Sequence, residues 1–383
     1  MNGVVVLGAT GSVGTRAADV LAAHADRFRV EGLAALRNGD RLLDTARRLG
    51  APRIALVDEE AAVALRSRLR PGDPELRSGT EGLLSLVRER GVDTVLQAIT
   101  GAAGLEASLE TARLGRRLAL ANKESLVVAG PLLVRVAREH GAEIIPVDSE
   151  HAAIHQCLRS GRPSEVRRLI LTASGGPFLH APRERLARVT PAEALRHPTW
   201  DMGPRITIDS ATLVNKAFEV IEARWLFDVP ADRIEVVVHP QSVVHSMVEF
   251  VDGSVVAQMG PPDMRGPVRY ALGFPDRLPA DRPTFDVADY ANLTFLAPDR
   301  ERFPALDLGF EAARRGGTAG AAFNAADEVA VARFLAGGIP FDAIAPACAN
   351  ALRSHPFVAD PSLDDLRRAD AWARDEVPGT CRR

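Results

Sequence analysis

A chain of 383 residues is long enough for two or three domains, and 46% hydrophobic with 25% charged residues describes a globular protein with substantial cores. Its 47 basic and 50 acidic residues leave a formal charge of -3, so no bulk field draws in nucleic acid or an anionic membrane, and any anion site must be built locally. No apolar run approaches the ~18 residues of a membrane span, and Cys157, Cys348 and Cys381 show no C-x-x-C spacing, which argues against a disulfide frame or cysteine zinc site and for a reducing, cytoplasmic setting.

The chain starts without a basic export n-region. Val4 to Leu7 is a continuous apolar run, as expected of a strand buried on both faces, and Thr15 to Ala23 has helical spacing. Between them Gly8-Ala9-Thr10-Gly11-Ser12-Val13-Gly14 has the spacing G-x-x-G-x-x-G. Strand, glycines and helix in this order allow backbone N–H groups to approach a pyrophosphate at the positive helix terminus. Further strands are predicted at Phe28 to Ala35, Ile54 to Val57, Thr94 to Ile99, Leu118 to Ala121 and Ile144 to Val147, with helical segments between most of them, the alternation of a doubly wound α/β domain over 1–147. After the second strand, Ala34-Ala35-Leu36-Arg37-Asn38 has no carboxylate for ribose hydroxyls but has a guanidinium able to fork onto a 2′-phosphate, which favours NADP(H) over NAD(H); a solvated Arg37 is the plain alternative. Asn122-Lys123-Glu124-Ser125 follows another strand end, where Lys123 can contact a substrate hydroxyl or carbonyl and Glu124 can hold a ribose or support the site.

Asp148 and Glu150 come next, and in an extended segment alternation sends both side chains to one side, ready to share a cation. From there to 275 strands cluster: Leu169 to Thr172, Ile206 to Ile208, Ile234 to His239, and Val243 to Phe250 turning at Asp252-Gly253 into Ser254 to Met259 as an antiparallel hairpin. The passage from Ser174-Gly175-Gly176 to Gly203-Pro204, about thirty residues with His197, Trp200 and Met202, is expected to be a lid that excludes water. Asp209-Ser210 offers a helix N-cap, and the following helix carries Asn215, Glu219 and Glu222 on one face with Lys216 at its margin. Oxygen acceptors without histidine or cysteine partners at metal spacing select Mg2+ or Mn2+ over zinc, whereas a charged outer helix face is the bland reading. His239 and His245, in or beside strands, read as structural. A proline-rich linker over 276–300 leads to a small helical region at 301–383, with helices at Phe323 to Leu335 and Asp342 to Leu352. The expected architecture is therefore a Rossmann-type parallel sheet domain, an α+β catalytic domain over 148–275 and a helical C-terminal domain.

The blocks GATGSVGT, LANKESLV, PVDSEH, LTASGGPF, HPTWDMG, DSATLVNKAFEVIEARWLF, HPQSVVHSMVEF and MGPPDMR together resemble the 1-deoxy-D-xylulose 5-phosphate reductoisomerase family, in its order and across essentially the whole chain. The resemblance implies a homodimer that converts 1-deoxy-D-xylulose 5-phosphate to 2-C-methyl-D-erythritol 4-phosphate in non-mevalonate isoprenoid synthesis, using NADPH and Mg2+, Mn2+ or Co2+. By position it makes Asp148, Glu150 and Glu219 the metal ligands. Ser149, Ser174, His197, Ser210, Asn215 and Lys216 become the substrate shell, with Trp200 covering the carbon backbone. Thr10, Gly11, Ser12, Val13, Arg37, Asn38, Asn122, Glu124 and Gly203 meet NADPH, and Lys123 meets substrate. Lys123, Glu150 and His197 are the catalytic candidates. Leu36, Thr199, Asp201 and Ala217-Phe218 depart from the family pattern, and the stretch before Val166 is shorter. Two rivals stand beside this: an NADPH reductase of the semialdehyde-dehydrogenase type, which needs a cysteine nucleophile such as Cys157, and a non-catalytic NADP(H) sensor.

Overall fold

The computed structural model describes residues 1–200, 202–280 and 285–380. Asp201, Cys381 and the Arg282-Pro283 step of the linker lie outside the described residues. The chain forms two compact units that are interleaved along the sequence: Met1–Ser125, Leu133–Ala152 and Asp263–Pro283 in one, Leu126–Leu132, Ala153–Pro262 and Thr284–Arg383 in the other.

The first unit is built on seven strands, β1 (Asn2–Leu7), β2 (Phe28–Ala35), β3 (Arg53–Leu56), β4 (Glu75–Ser78), β5 (Thr94–Gln97), β6 (Arg117–Leu120) and β7 (Ile144–Pro146). They lie in the order β4-β3-β2-β1-β5-β6-β7, every pair parallel. The apolar runs are the reason: Val4 to Leu7, Ile54 to Leu56 and Leu118 to Leu120 are buried along their length, as strands covered by helices on both faces must be. The strand order reverses at β1, between β2 and β5, which is where open α/β sheets bind ligands. Leu7 pairs with Ala34 and Gln97, Gln97 with Leu120, and Leu120 with Pro146, so the loops after β1, β2, β5, β6 and β7 leave from one edge. The helix Arg265–Gly273, from a stretch assigned by sequence to the catalytic domain, packs here instead. Its Val268, Ala271 and Leu272 join the core that contains Val4 and Val6.

The second unit holds a four-stranded sheet, β8 (Val166–Ala173), β9 (Ile234–Val238), β10 (Val244–Phe250) and β11 (Val255–Met259), in the order β11-β10-β8-β9. The β10–β11 hairpin is antiparallel as expected, and β8 and β9 are parallel. The C-terminal helices Ala305–Arg315, Ala319–Leu335, Ile344–Ser354 and Leu363–Thr380 share one core with this sheet. Phe218 meets Phe323 edge-on at 5.1 Å between centroids, and Phe178 meets Phe341 at 5.3 Å.

Three local expectations need correction. Ile206 to Ile208 is not a strand but lies inside the helix Pro204–Thr212, where Pro204 occupies the first turn and burial of Thr207 and Ile208 outweighs their β-propensity. Asp209-Ser210 is consequently mid-helix and caps nothing. The next helix, Val214–Leu226, begins after Leu213 takes a left-handed conformation with φ 61°. Asp148 and Glu150 do not share an extended segment either. The helix Ser149–Cys157 starts between them, and the Asp148 carbonyl already accepts from Ala152 N–H at 2.8 Å.

Candidate active site

On the first unit's carboxyl edge, the glycines after β1 are required by close approach. Gly8 has φ +84°, and a Cβ there would lie 2.4 Å from the Ala98 carbonyl oxygen; a Cβ on Gly14 would lie 2.2 Å from the Gly8 oxygen. The helix Ser12–Ala23 begins with no side-chain cap from Gly11 and no acid in its first turn, so its positive end suits a dinucleotide pyrophosphate. Gly11 and Ser12 are exposed there, with Thr10 and Val13 half-buried beside them.

After β2, the Asn38 side chain accepts from Arg41 N–H at 3.1 Å and caps the helix Gly39–Leu49. Arg37 is three-quarters exposed, and its Nε donates to Asp58 at 2.7 Å. Asp58 in turn caps the helix Glu59–Arg66 through Ala61 N–H at 2.9 Å. That backbone bond and the Arg37 guanidinium hold its carboxyl below the usual range. The sequence reading missed Asp58 because it follows the third strand, not the second; an acid capping the next helix of the same sheet edge was the available signal.

After β6, buried Asn122 donates to the carbonyls of Ile99 and Gly101 at 2.8 and 3.0 Å and to Glu124 at 2.7 Å, while its oxygen accepts from Ser125 N–H at 2.9 Å. Gln97, fully buried and also missed, braces the same loop through Gly104 and Ile99. Lys123 Nζ lies 3.1 Å from an Asp148 oxygen, and His151 Nδ1 lies 3.4 Å from that oxygen. Ser149 donates to the Glu150 carboxylate. The signal for His151 is its place in PVDSEH, three residues beyond Asp148.

In the second unit the lid passage is not structureless: it contains the short helices Arg183–Leu186 and Pro191–Ala194. It brings His197 Nε2 to 3.1 Å from both Ser174 Oγ and Ser210 Oγ. His197 Nδ1 accepts from Thr199 N–H at 3.1 Å and Trp200 N–H at 2.9 Å, so the proton of the neutral ring sits on Nε2. Burial lowers the pKa of this histidine. Half-buried Trp200 faces His245 at 6.4 Å, and Gly203 precedes the helix that carries Ser210. Asn215, Lys216 and Glu219 lie on the next helix, whose residues from Lys216 to Ala223 are all buried, which rules out a solvated outer face. Asn215 donates to Glu219 at 2.6 Å, and Lys216 pairs with the same carboxylate. His239 is structural as expected: Nδ1 donates to the Thr294 carbonyl at 2.9 Å, and Nε2 accepts from Val243 and Val244 N–H.

The donors are carboxylates, hydroxyls, amides and lysines, a chemistry that fits a hard divalent ion and a phosphate ester. Models of the 1-deoxy-D-xylulose 5-phosphate reductoisomerase match residues 4–130, and models of its C-terminal domains match 144–227 and 259–376. The chain belongs to this family. It is similar to the 1-deoxy-D-xylulose 5-phosphate reductoisomerase of Anaeromyxobacter sp. (strain K), with 50% identity over 98% of this chain and 96% of the relative. The enzyme of Desulfosudis oleivorans is 48% identical over 98% of this chain and 99% of its own length. Among solved structures, the Zymomonas mobilis reductoisomerase in complex with NADPH aligns with a TM-score of 0.93 and 43% identity, covering 100% of this chain and 99% of that one. A DOX-P reductoisomerase in complex with NADPH, fosmidomycin and magnesium also aligns at 0.93, with 38% identity over 100% of this chain and 98% of that one.

Proposed function

We propose that the chain converts 1-deoxy-D-xylulose 5-phosphate to 2-C-methyl-D-erythritol 4-phosphate by carbon-skeleton rearrangement followed by reduction, in isoprenoid precursor synthesis. The observation that carries the reading is one sheet edge that presents a dinucleotide loop, Lys123 and the acids Asp148 and Glu150 together, in a chain that aligns with a relative over 96% of that relative's length. In this reading 1–147 binds NADPH, 148–262 supplies the metal and substrate groups with a lid at 174–204, 276–300 is a linker and 301–383 is a helical region that shares the second unit's core.

Thr10, Gly11, Ser12 and Val13 hold the pyrophosphate, Arg37 and Asn38 the 2′-phosphate end, and Asn122, Glu124 and Gly203 the rest of the nucleotide. Asp148, Glu150 and Glu219 hold Mg2+, Mn2+ or Co2+. When bound, the ion polarises the ketose carbonyl and its neighbouring hydroxyl, and NADPH supplies the hydride. Glu150 takes the hydroxyl proton onto a carboxylate oxygen, with Ser149 orienting that carboxylate. The Lys123 ammonium, next to Asp148, stabilises negative charge on substrate oxygen. At the phosphate end, His197 Nε2–H donates to one serine oxygen, which leaves the hydroxyl protons of Ser174 and Ser210 available for phosphate oxygens, alongside Asn215 and Lys216. Trp200 closes over the carbon backbone and excludes water.

Cys157 argues against the semialdehyde-dehydrogenase alternative, because burial raises its thiol to about 11 and leaves no thiolate to attack. The strand β11 lies at the sheet edge with Val255 and Met259 exposed, which supports a homodimer in which this edge pairs with a second copy. Buried Cys157 and Cys348, neither in a disulfide, support a cytoplasmic setting. Among the described residues no helix is long and apolar enough to cross a membrane. The test is NADPH absorbance with 1-deoxy-D-xylulose 5-phosphate: the reading expects a decline that stops with chelator and resumes on adding Mg2+, and an unchanged trace with metal present overturns it.

A further inference from the structure

The helix Pro204–Thr212 carries Ser210 near its C-terminal end and Arg205 in its first turn. Arg205 has no part in the mechanism above, yet four acceptors surround it. Nη1 donates to Glu328 at 2.8 Å, and Nη2 donates to Asn324 at 2.8 Å and to Asp327 at 3.4 Å; Nε lies 3.6 Å from Asp209 on its own helix. Asn324, Asp327 and Glu328 are spaced to share one face of the helix Ala319–Leu335, and the first two are fully buried. Glu328 is tied further to Arg374 of the helix Leu363–Thr380, which Asp370 also holds. The C-terminal region thus grips a single planar guanidinium through several acceptors, an arrangement that fixes orientation as well as distance.

The gripped helix has only nine residues, too few to be stable alone, so its placement depends on tertiary contacts. It follows the lid passage and ends at the left-handed Leu213, where the chain turns into the separately buried helix Val214–Leu226. A hydrogen bond such as Ser210 to His197 weakens steeply once its partners drift, whereas Asn215, Lys216 and Glu219 are placed by their own helix.

We propose that Arg205 and Asp327 are positioning residues for the phosphate end of the substrate: the C-terminal helices hold the first turn of Pro204–Thr212 and thereby set where Ser210 meets His197. The inference rests on Ser210 and His197 serving the phosphate as proposed above. The charged and titratable groups facing this junction are Arg205 and Asp209 on one helix, Asp327 and Glu328 on the second, and Arg374 and Asp370 on the third.

The test uses the full chain and the variants Arg205→Met, Arg205→Lys and Asp327→Asn. In Arg205→Met, KM for 1-deoxy-D-xylulose 5-phosphate rises about tenfold while kcat and NADPH affinity stay within about twofold, the split that loss of uniform substrate binding gives. Arg205→Lys recovers part of that loss, and Asp327→Asn raises KM by a smaller factor. Nitrogen-15 resonances of the His197 ring, assigned with His197→Gln, shift in Arg205→Met and Asp327→Asn without any substrate present. Unchanged KM with unchanged His197 resonances in a folded variant overturns the proposal, as does an equal fall in kcat and NADPH affinity. If Arg205→Met does not fold, Asp327→Asn decides by the same readings. Absence of turnover in the unmodified chain sinks the functional reading alone, because the His197 resonances still decide the positioning.

Discussion

His197 shows how one ring can be fixed at both nitrogens. Two backbone N–H groups point at Nδ1, so a proton there would face two donors, and burial disfavours the charged ring as well. The sign follows. A folded pKa below the ordinary histidine value gives stability that is present above that value and is lost as pH falls through the folded one. Amide protection at Thr199 and Trp200 should therefore decline as acidification passes below the ordinary histidine value, and protection that ignores pH would remove this tautomer from the account. Glu219→Gln should weaken divalent-metal affinity and lower turnover by about a hundredfold or more, since a charged ligand is lost and Lys216 meets a neutral amide in place of that carboxylate. NADPH affinity should stay nearly intact; an equal loss there would reassign Glu219. Most of these residue types were legible from the sequence because motif order pinned them. Asp58 and the Arg205–Asp327 contact were not, because their partners lie 21 and 122 residues away.

At the scale of elements, the parallel strands were legible where burial on both faces forces a continuous apolar run. β4 was not, since Glu75-Leu-Arg-Ser lies at the sheet edge and carries little apolar signal. Ile206-Thr-Ile208 misled because three β-branched or branched residues in a short buried helix look like a strand; Pro204 at the first turn was the discriminating residue. The extended reading of Asp148 to Glu150 fails differently, because a helix that begins at Ser149 abolishes the two-residue alternation, yet oxygens of the two carboxylates still lie within 4.8 Å of each other. The glycine loop gives the cleanest element test. Gly14→Ala places a Cβ against the Gly8 carbonyl oxygen and should cost at least about tenfold in NADPH affinity, measured by fluorescence titration, while metal affinity is retained. Unchanged NADPH binding would contradict the assignment of this loop.

For the whole molecule, apolar periodicity reports that a face is buried but not what buries it. That is why the sequence outlines helices at Phe323 to Leu335 and Asp342 to Leu352 without indicating which core they join, and leaves the Arg265–Gly273 helix unread. The buried junction between the C-terminal helices and Pro204–Thr212 also has a pH signature. Burial raises the Asp327 carboxyl, with Arg205 and Asp209 opposing, so its contribution to stability is full below the ordinary carboxylate range and is lost as pH rises through the raised value. Asp327→Asn should flatten that segment of a Tm-against-pH curve; an identical curve for both proteins would mean that Asp327 does not titrate there. The reading of the chain as a reductoisomerase comes down to whether the carbon skeleton changes, and a plain NADPH reductase would leave it linear. Carbon-13 NMR of the product formed from 1-deoxy-D-xylulose 5-phosphate, NADPH and Mg2+ measures this directly. The account predicts a branched polyol phosphate with its methyl on a tertiary carbinol carbon that bears no hydrogen; a linear 1-deoxypentitol phosphate would contradict it.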